Sequence, residues 1–190
     1  AVERLMELEE LPAEASGASQ LFPQTPDLQL KDVTFSYSTE DRPILNHFSC
    51  NFPAGSCTAV LGETGAGKTT LMKVLCGLFE PDSGKVLVNG TDIRQLGINN
   101  YHRMIACVMQ DDRLFSGSIR ENICGFAEET DDEWMTECAR ASHIHDVIMK
   151  MPMGYETLIG ELGEGLSGGQ KQRIFIARAL YRKPGILFMD

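Results

Sequence analysis

The residues best equipped for chemistry stand in one run: Gly62-Glu63-Thr64-Gly65-Ala66-Gly67-Lys68-Thr69-Thr70. A glycine, four residues and then Gly-Lys-Thr is the spacing of a phosphate-binding loop. The glycines let backbone N–H groups turn inward around a polyphosphate. Lys68 extends toward the β- and γ-phosphates, and the Thr69 hydroxyl is a ligand of the kind Mg2+ takes. An apolar strand precedes the run and a helix is expected after it, so the helix adds the positive end of its dipole. The chemistry is binding of a nucleoside triphosphate. The run alone does not say what that binding serves.

A second candidate lies about 100 residues further on, where Leu166-Ser167-Gly168-Gly169-Gln170 precedes a helix expected over 168–181. Ile174, Ile176, Ala177 and Leu180 form its inner side. Ser167 is a suitable N-cap, and two glycines leave the helix start unobstructed. This is a second anion-binding helix terminus. One nucleotide needs one such cradle, so the second invites a nucleotide held by a partner. Asp111 and Asp112 are adjacent carboxylates, read as a solvated loop rather than a catalytic pair.

These residues need a framework. With 190 residues, the chain has room for one domain, with a tail. Apolar residues make up 43% and charged residues 23%, an ordinary globular balance that buries a core without staples. The net charge of −10 argues against a broad nucleic-acid face. No apolar run reaches the ~18–20 residues that span a bilayer, and the acidic start does not read as a signal peptide. The six cysteines lack metal or redox spacing and read as reduced thiols. Residues 1–11 suit a short amphipathic helix, and 12–27 read as a proline-containing linker from an upstream region. Strands are expected over 28–37, 47–52, 56–61, 85–88, 104–109 and 186–189. Helices are expected over 67–78, 119–123, 132–141, 144–151 and 168–181. The pattern is a mixed α/β core with a helical insertion.

Taken together, these features resemble the ATP-binding cassette ATPases over about residues 28–190. Leu166 to Gln170 matches that family's LSGGQ signature. Gln110, after the apolar Met104 to Met109, looks like the Q-loop; Ile186 to Asp190 looks like the Walker B strand; and Tyr37 looks like the adenine-stacking aromatic. The resemblance implies an α/β P-loop cassette with a mixed sheet core, an antiparallel β subdomain and a helical subdomain over about 110–167. It implies ATP and Mg2+ as ligands. Tyr37 would stack on adenine, with Ile44 a candidate apolar partner, and residues 62–70 would cradle the phosphates. Thr69, Gln110 and Asp190 would serve the metal, with Lys68, Gln110 and Asp190 the catalytic set. Ser167, Gly168, Gly169 and Gln170 would face the γ-phosphate on a second copy of the cassette. Glu161 would be an exporter-type contact with membrane loops.

The segments GKTTLMKVLCGLFEPDSGKVLVNGTDI and VMQDDRLFSGSIRENICGF are most similar to the colicin V exporter group. That similarity implies a cassette fused to transmembrane domains on the cytoplasmic face of a bacterial inner membrane, working as a homodimer to export a bacteriocin or another peptide. A type I protein secretion or multidrug/lipid exporter is the alternative. A non-transport cassette in DNA repair or translation fits less well, and a small-molecule P-loop kinase has no use for LSGGQ. The family's general base is a glutamate directly after the Walker B aspartate, here Asp190. A chain stopping at Asp190 is therefore expected to bind nucleotide and to turn it over hardly at all.

Overall fold

The computed structural model describes residues 25–38, 42–127, 129–160 and 165–190. Most of the expected tail and linker, and Glu161, lie outside the described residues. The described residues form two compact units, divided between Met104 and Ile105.

In the first unit, β1 (Leu28–Phe35), β2 (Leu45–Phe52), β3 (Ser83–Val88) and β4 (Thr91–Asp92) form an antiparallel sheet in the order β2-β1-β3-β4. The apolar positions of β1 change parity midway: Leu28 and Leu30, then Val33 and Phe35, yet all four are buried. A bulge reconciles them. Leu30 pairs with Cys50 but Val33 with Phe48, so β1 spends one extra residue, and Asp32 takes φ 53°. Opposite it, Gly84 has φ 82°, and a Cβ there would lie 2.3 Å from the Asp32 carbonyl oxygen, so only glycine fits. The Asn89-Gly90 turn between β3 and β4 has φ 47° and 79°, the positive values a tight hairpin requires.

The phosphate-loop helix α1 (Lys68–Leu75) is shorter than the sequence periodicity predicts. Two later helices explain its end. Helix α2 (Ile93–Leu96) is capped by the Asp92 carboxylate, which accepts from Arg94 N–H. Helix α3 (Ile98–Met104) delivers Tyr101 and His102 to the end of α1. The fully buried Tyr101 donates its hydroxyl to the Leu75 carbonyl at 2.6 Å, and His102 Nε2 lies 3.0 Å from the Cys76 carbonyl oxygen. These contacts satisfy carbonyls that a helix end leaves unpaired, and Gly77 follows with φ 70°. Met104 ends α3, so the strand expected from it starts one residue later. The strand expected over 56–61 is not formed: these residues lie in no ladder, and Leu61 is 91% exposed. Apolar composition favours a strand only where a neighbour supplies the hydrogen bonds.

In the second unit, β5 (Ile105–Val108) and β8 (Ile186–Met189) pair in parallel, and β6 (Gly117–Ser118) and β7 (Leu158–Ile159) pair antiparallel. Among the described residues, the α-helices that accompany them are α4 (Ile119–Cys124), α5 (Asp132–Ala141), α6 (His145–Ile148) and α7 (Gly168–Tyr181). The helix expected over 144–151 shrinks to four residues and continues as turns. Ser118 and Glu121 close a capping box at the start of α4. One core joins these elements: Ile174 and Ala177 of α7 pack with Ile119, Ile123, Met135, Ile144 and Ile148. Phe175 and Ala179 are buried too, while Ile176 and Leu180 are half-buried, so the inner face of α7 is wider than its periodicity indicated. Cys76, Cys124 and Cys138 are buried; burial pushes Cys138 up to about 11, so it stays protonated at neutral pH. No described helix is long and apolar enough to cross a membrane.

Candidate functional site

Each unit presents its own set of candidate side chains. In the first, the loop 62–67 closes on itself. Ala66 N–H donates to the Glu63 carbonyl, and the Lys68 ammonium folds back onto the carbonyl oxygens of Gly62 (2.8 Å) and Glu63 (2.7 Å). Gly65 and Gly67 have φ 85° and 88°. A Cβ on Gly67 would come within 2.7 Å of Ile44 Cγ2, whereas a Cβ on Gly65 would meet nothing within 4 Å. Gly67 is the N-cap of α1, and no side chain caps this end of the helix. The loop therefore places an ammonium group beside a helix start whose N-cap, Gly67, makes no side-chain cap. That donor set fits a polyphosphate.

Tyr37 stands beside this loop. Its hydroxyl is 2.9 Å from the Thr70 hydroxyl, and its ring meets Phe35 and Phe79 edge-on at 5.3 and 5.6 Å. Phe35 and Phe79 stack on each other at 5.2 Å. Ser36 N–H donates to Asp82 Oδ2 at 2.8 Å, fixing the backbone before Tyr37. The Tyr37 side chain, 57% exposed, keeps a ring face for stacking. The structure thus gathers Tyr37, Ile44, Gly67, Lys68 and Thr70 in one unit. Phe79 and Asp82, which support Tyr37, were not found from the sequence. They lie over 40 positions away, and only the pairing of β1 with β3 brings them close.

In the second unit, β5 and β8 run parallel, and Gln110 and Asp190 follow their carboxyl ends. In open α/β sheets that edge is where ligands bind. Asp190 N–H donates to the Val108 carbonyl at 2.9 Å, extending the register past the last strand residue. A closed turn holds Gln110: the Asp112 carboxylate accepts from Met109 N–H at 3.0 Å, and Asp112 N–H donates to the Met109 carbonyl at 3.2 Å. Asp112 is therefore a turn former rather than a merely solvated acid.

Ser167 caps α7 as expected. Its hydroxyl accepts from Gln170 N–H, and Gln170 Oε1 accepts from Ser167 N–H at 2.8 Å, so the Gln170 side chain completes a capping box. Ser167, Gly168 and Gly169 are exposed, and a Cβ on either glycine would meet nothing within 4 Å. The described residues contain no group of three or more His, Cys, Asp and Glu side chains that could hold a metal ion. Each unit separately carries oxygen donors of the kind Mg2+ takes, Thr69 in the first and Gln110 and Asp190 in the second. A further cavity of about 470 Å³, lined by Arg120, Glu121, Cys124, Thr130 and Glu156, contains none of the expected site residues.

Comparison with known proteins gives a consistent picture. A family model described as ABC transporter matches residues 45–190. Over 163 residues, 86% of this chain, the sequence is 81% identical to the probable microcin-H47 secretion/processing ATP-binding protein MchF of Escherichia coli. It is 77% identical over the same length to the colicin V secretion/processing ATP-binding protein CvaB of Escherichia coli. The chain spans about a quarter of these curated relatives, 23% of each. Among solved structures, a bacterial Atm1-family ABC exporter with ATP bound superimposes with a TM-score of 0.88 at 33% identity, covering 100% of this chain and 34% of that one.

Proposed function

The chain belongs to the ABC transporter family, and from that premise we propose that it is the ATP-hydrolysing cassette of a membrane exporter that moves a bacteriocin or related peptide. The fold is that of an exporter cassette, and its relatives at 77–81% identity carry colicin and microcin secretion names. One observation carries the mechanism: among the described residues, two separate helix starts carry glycines, with no side-chain cap at Gly67 of α1 and nothing within 4 Å of a Cβ built on Gly168 or Gly169 of α7.

In this reading residues 28–190 form the cassette, about 110–167 its helical part, and 1–27 a linker from membrane domains. The ring of Tyr37 stacks on adenine, with Ile44 beside it. Residues 62–67 and the N–H groups of α1 hold the phosphates. On binding, the Lys68 ammonium exchanges the carbonyls of Gly62 and Glu63 for phosphate oxygens. Thr69 and Asp190 would hold Mg2+, and Gln110 would orient the attacking water. The metal supplies charge neutralisation at the phosphates. Attack of water on the γ-phosphorus breaks its bond to the β–γ bridging oxygen, leaving ADP and phosphate. Ser167, Gly168 and Gly169 approach the γ-phosphate of an ATP held by a second copy, so ATP joins two cassettes and its hydrolysis releases them. Gln170 acts there through its capping box.

The cargo assignment is tested in proteoliposomes of the full-length protein, placing the cassette at the outer, cytoplasm-equivalent face. A colicin V-type peptide is expected to accumulate inside in an ATP-dependent way and to stimulate ATP turnover several-fold, about the effect of a ~1 kcal/mol coupling. A lipophilic dye is expected to do neither. Transport of the dye without the peptide would favour the multidrug or lipid alternative.

A further inference from the structure

Arg178, near the carboxyl end of α7, has no role in the binding scheme above, yet it is among the most heavily engaged polar side chains of the second unit. Its Nε donates to the Asn122 carbonyl at 2.7 Å, one terminal nitrogen donates to Asn122 Oδ1 at 2.7 Å, and the other to the Arg113 carbonyl at 3.2 Å. The guanidinium lies 5.0 Å from the centre of the Phe115 ring and 5.4 Å from that of Phe175. Burial lowers its pKa from the usual arginine value, but an arginine remains a cation at any physiological pH.

Asn122 passes the contact on. It is fully buried, and its amide makes three bonds besides the one to Arg178. Its Nδ2 donates to the carbonyls of Phe115 (2.9 Å) and Ser118 (3.0 Å), and its Oδ1 accepts from Phe115 N–H (2.9 Å). Residues 113–115 are thereby held between Asn122 of α4 and Arg178 of α7. This segment continues directly from the Gln110 turn closed by Asp112. At its other end, α7 begins at the Ser167 capping box. A helix is stiff along its axis, and Arg178 is 11 residues, about 16 Å, from Ser167.

We propose that Arg178 is a positioning residue that locks the segment following Gln110 to helix α7, so that the Gln110 turn and the Ser167 terminus move as one body when nucleotide binds. This proposal rests on the reading of Gln110 and Ser167 as ATP-site residues. The fork geometry makes it specific to arginine: three divergent N–H donors reach three acceptors on two chain segments, which a lysine ammonium on a single stem does not reproduce.

The test uses Arg178→Lys and Arg178→Met in the full-length protein, with hydrogen exchange of residues 109–116 and the kinetics of ATP turnover as readouts. Exchange in 109–116 is expected to rise about tenfold in both variants, the scale of losing charge-assisted hydrogen bonds, while exchange in α5 stays as in the unsubstituted protein. kcat is expected to fall about tenfold with KM within twofold, because the phosphate-holding residues are untouched. If Arg178→Met does not fold, Arg178→Lys carries the test, since it keeps the charge and stem. Unchanged exchange at 109–116 would overturn the proposal, and so would uniform loosening that includes α5. ATP binding by the unsubstituted protein is measured in parallel: its absence would sink the ATP-site reading, while the exchange result would still judge the tether.

Discussion

Replacing Lys68 with alanine is expected to lower ATP affinity about 100-fold and to abolish measurable turnover. The ammonium is held 2.7–2.8 Å from the carbonyls of Gly62 and Glu63 in the loop that leads into α1. A charge-assisted hydrogen bond contributes roughly 1.5–3 kcal/mol, and the upper end of that range is about 100-fold in binding. The substitution should leave the fold nearly unchanged, because the two carbonyls it frees face solvent and water replaces the ammonium. Titration with a fluorescent ATP analogue, alongside thermal unfolding, separates these effects. Unchanged affinity in a folded Lys68→Ala protein would refute the phosphate-loop assignment.

Substituting Ser167 is expected to separate binding from association. Ser167→Arg should leave ATP affinity within about twofold, since α7 belongs to a different unit from the phosphate loop. It should eliminate the ATP-dependent dimer and cut turnover at least about 100-fold, because a long side chain fills the opening that Gly168 and Gly169 leave. Loss of the cap alone costs only about 1 kcal/mol. Ser167→Asp distinguishes the two causes. Aspartate caps a helix as well as serine does, so stability should be kept, but its charge repels a γ-phosphate, so the dimer should still be lost. Light scattering with and without ATP reads the outcome. A persistent ATP-driven dimer in Ser167→Asp would rule out the contact between copies.

What the sequence made legible follows from the range of the interactions. The hydrogen bonds within the loop 62–70 and the cap at Ser167 join residues no more than six positions apart, so type and spacing carried their geometry. Helix α5 appeared where expected because its Asp131 cap and periodicity are local. The parity change in β1 was present as a break between Leu30 and Val33, but its cause, a bulge facing Gly84, required the pairing partner. Residues 56–61 show the converse: a strand-like composition that forms no ladder. The supports of the site, Phe79 and Asp82 under Tyr37, Tyr101 and His102 at the end of α1, and Arg178 against Asn122, were invisible for the same reason. Each joins segments 26 to 56 positions apart or lies across a strand pairing, and nothing in a local pattern signals it.

The central claim is that one ATP is held jointly by the phosphate loop of one cassette and the start of α7 of another. It is tested most directly by mixing isotopically labelled Lys68→Ala cassettes with unlabelled, unsubstituted ones, adding ATP that carries a photoreactive group on its γ-phosphate, irradiating, and mapping the modified peptides by mass spectrometry. The labelled copies cannot hold the nucleotide by their own loop. The account predicts that the probe nevertheless marks residues 166–170 of those labelled copies; modification confined to the unlabelled copies would contradict it.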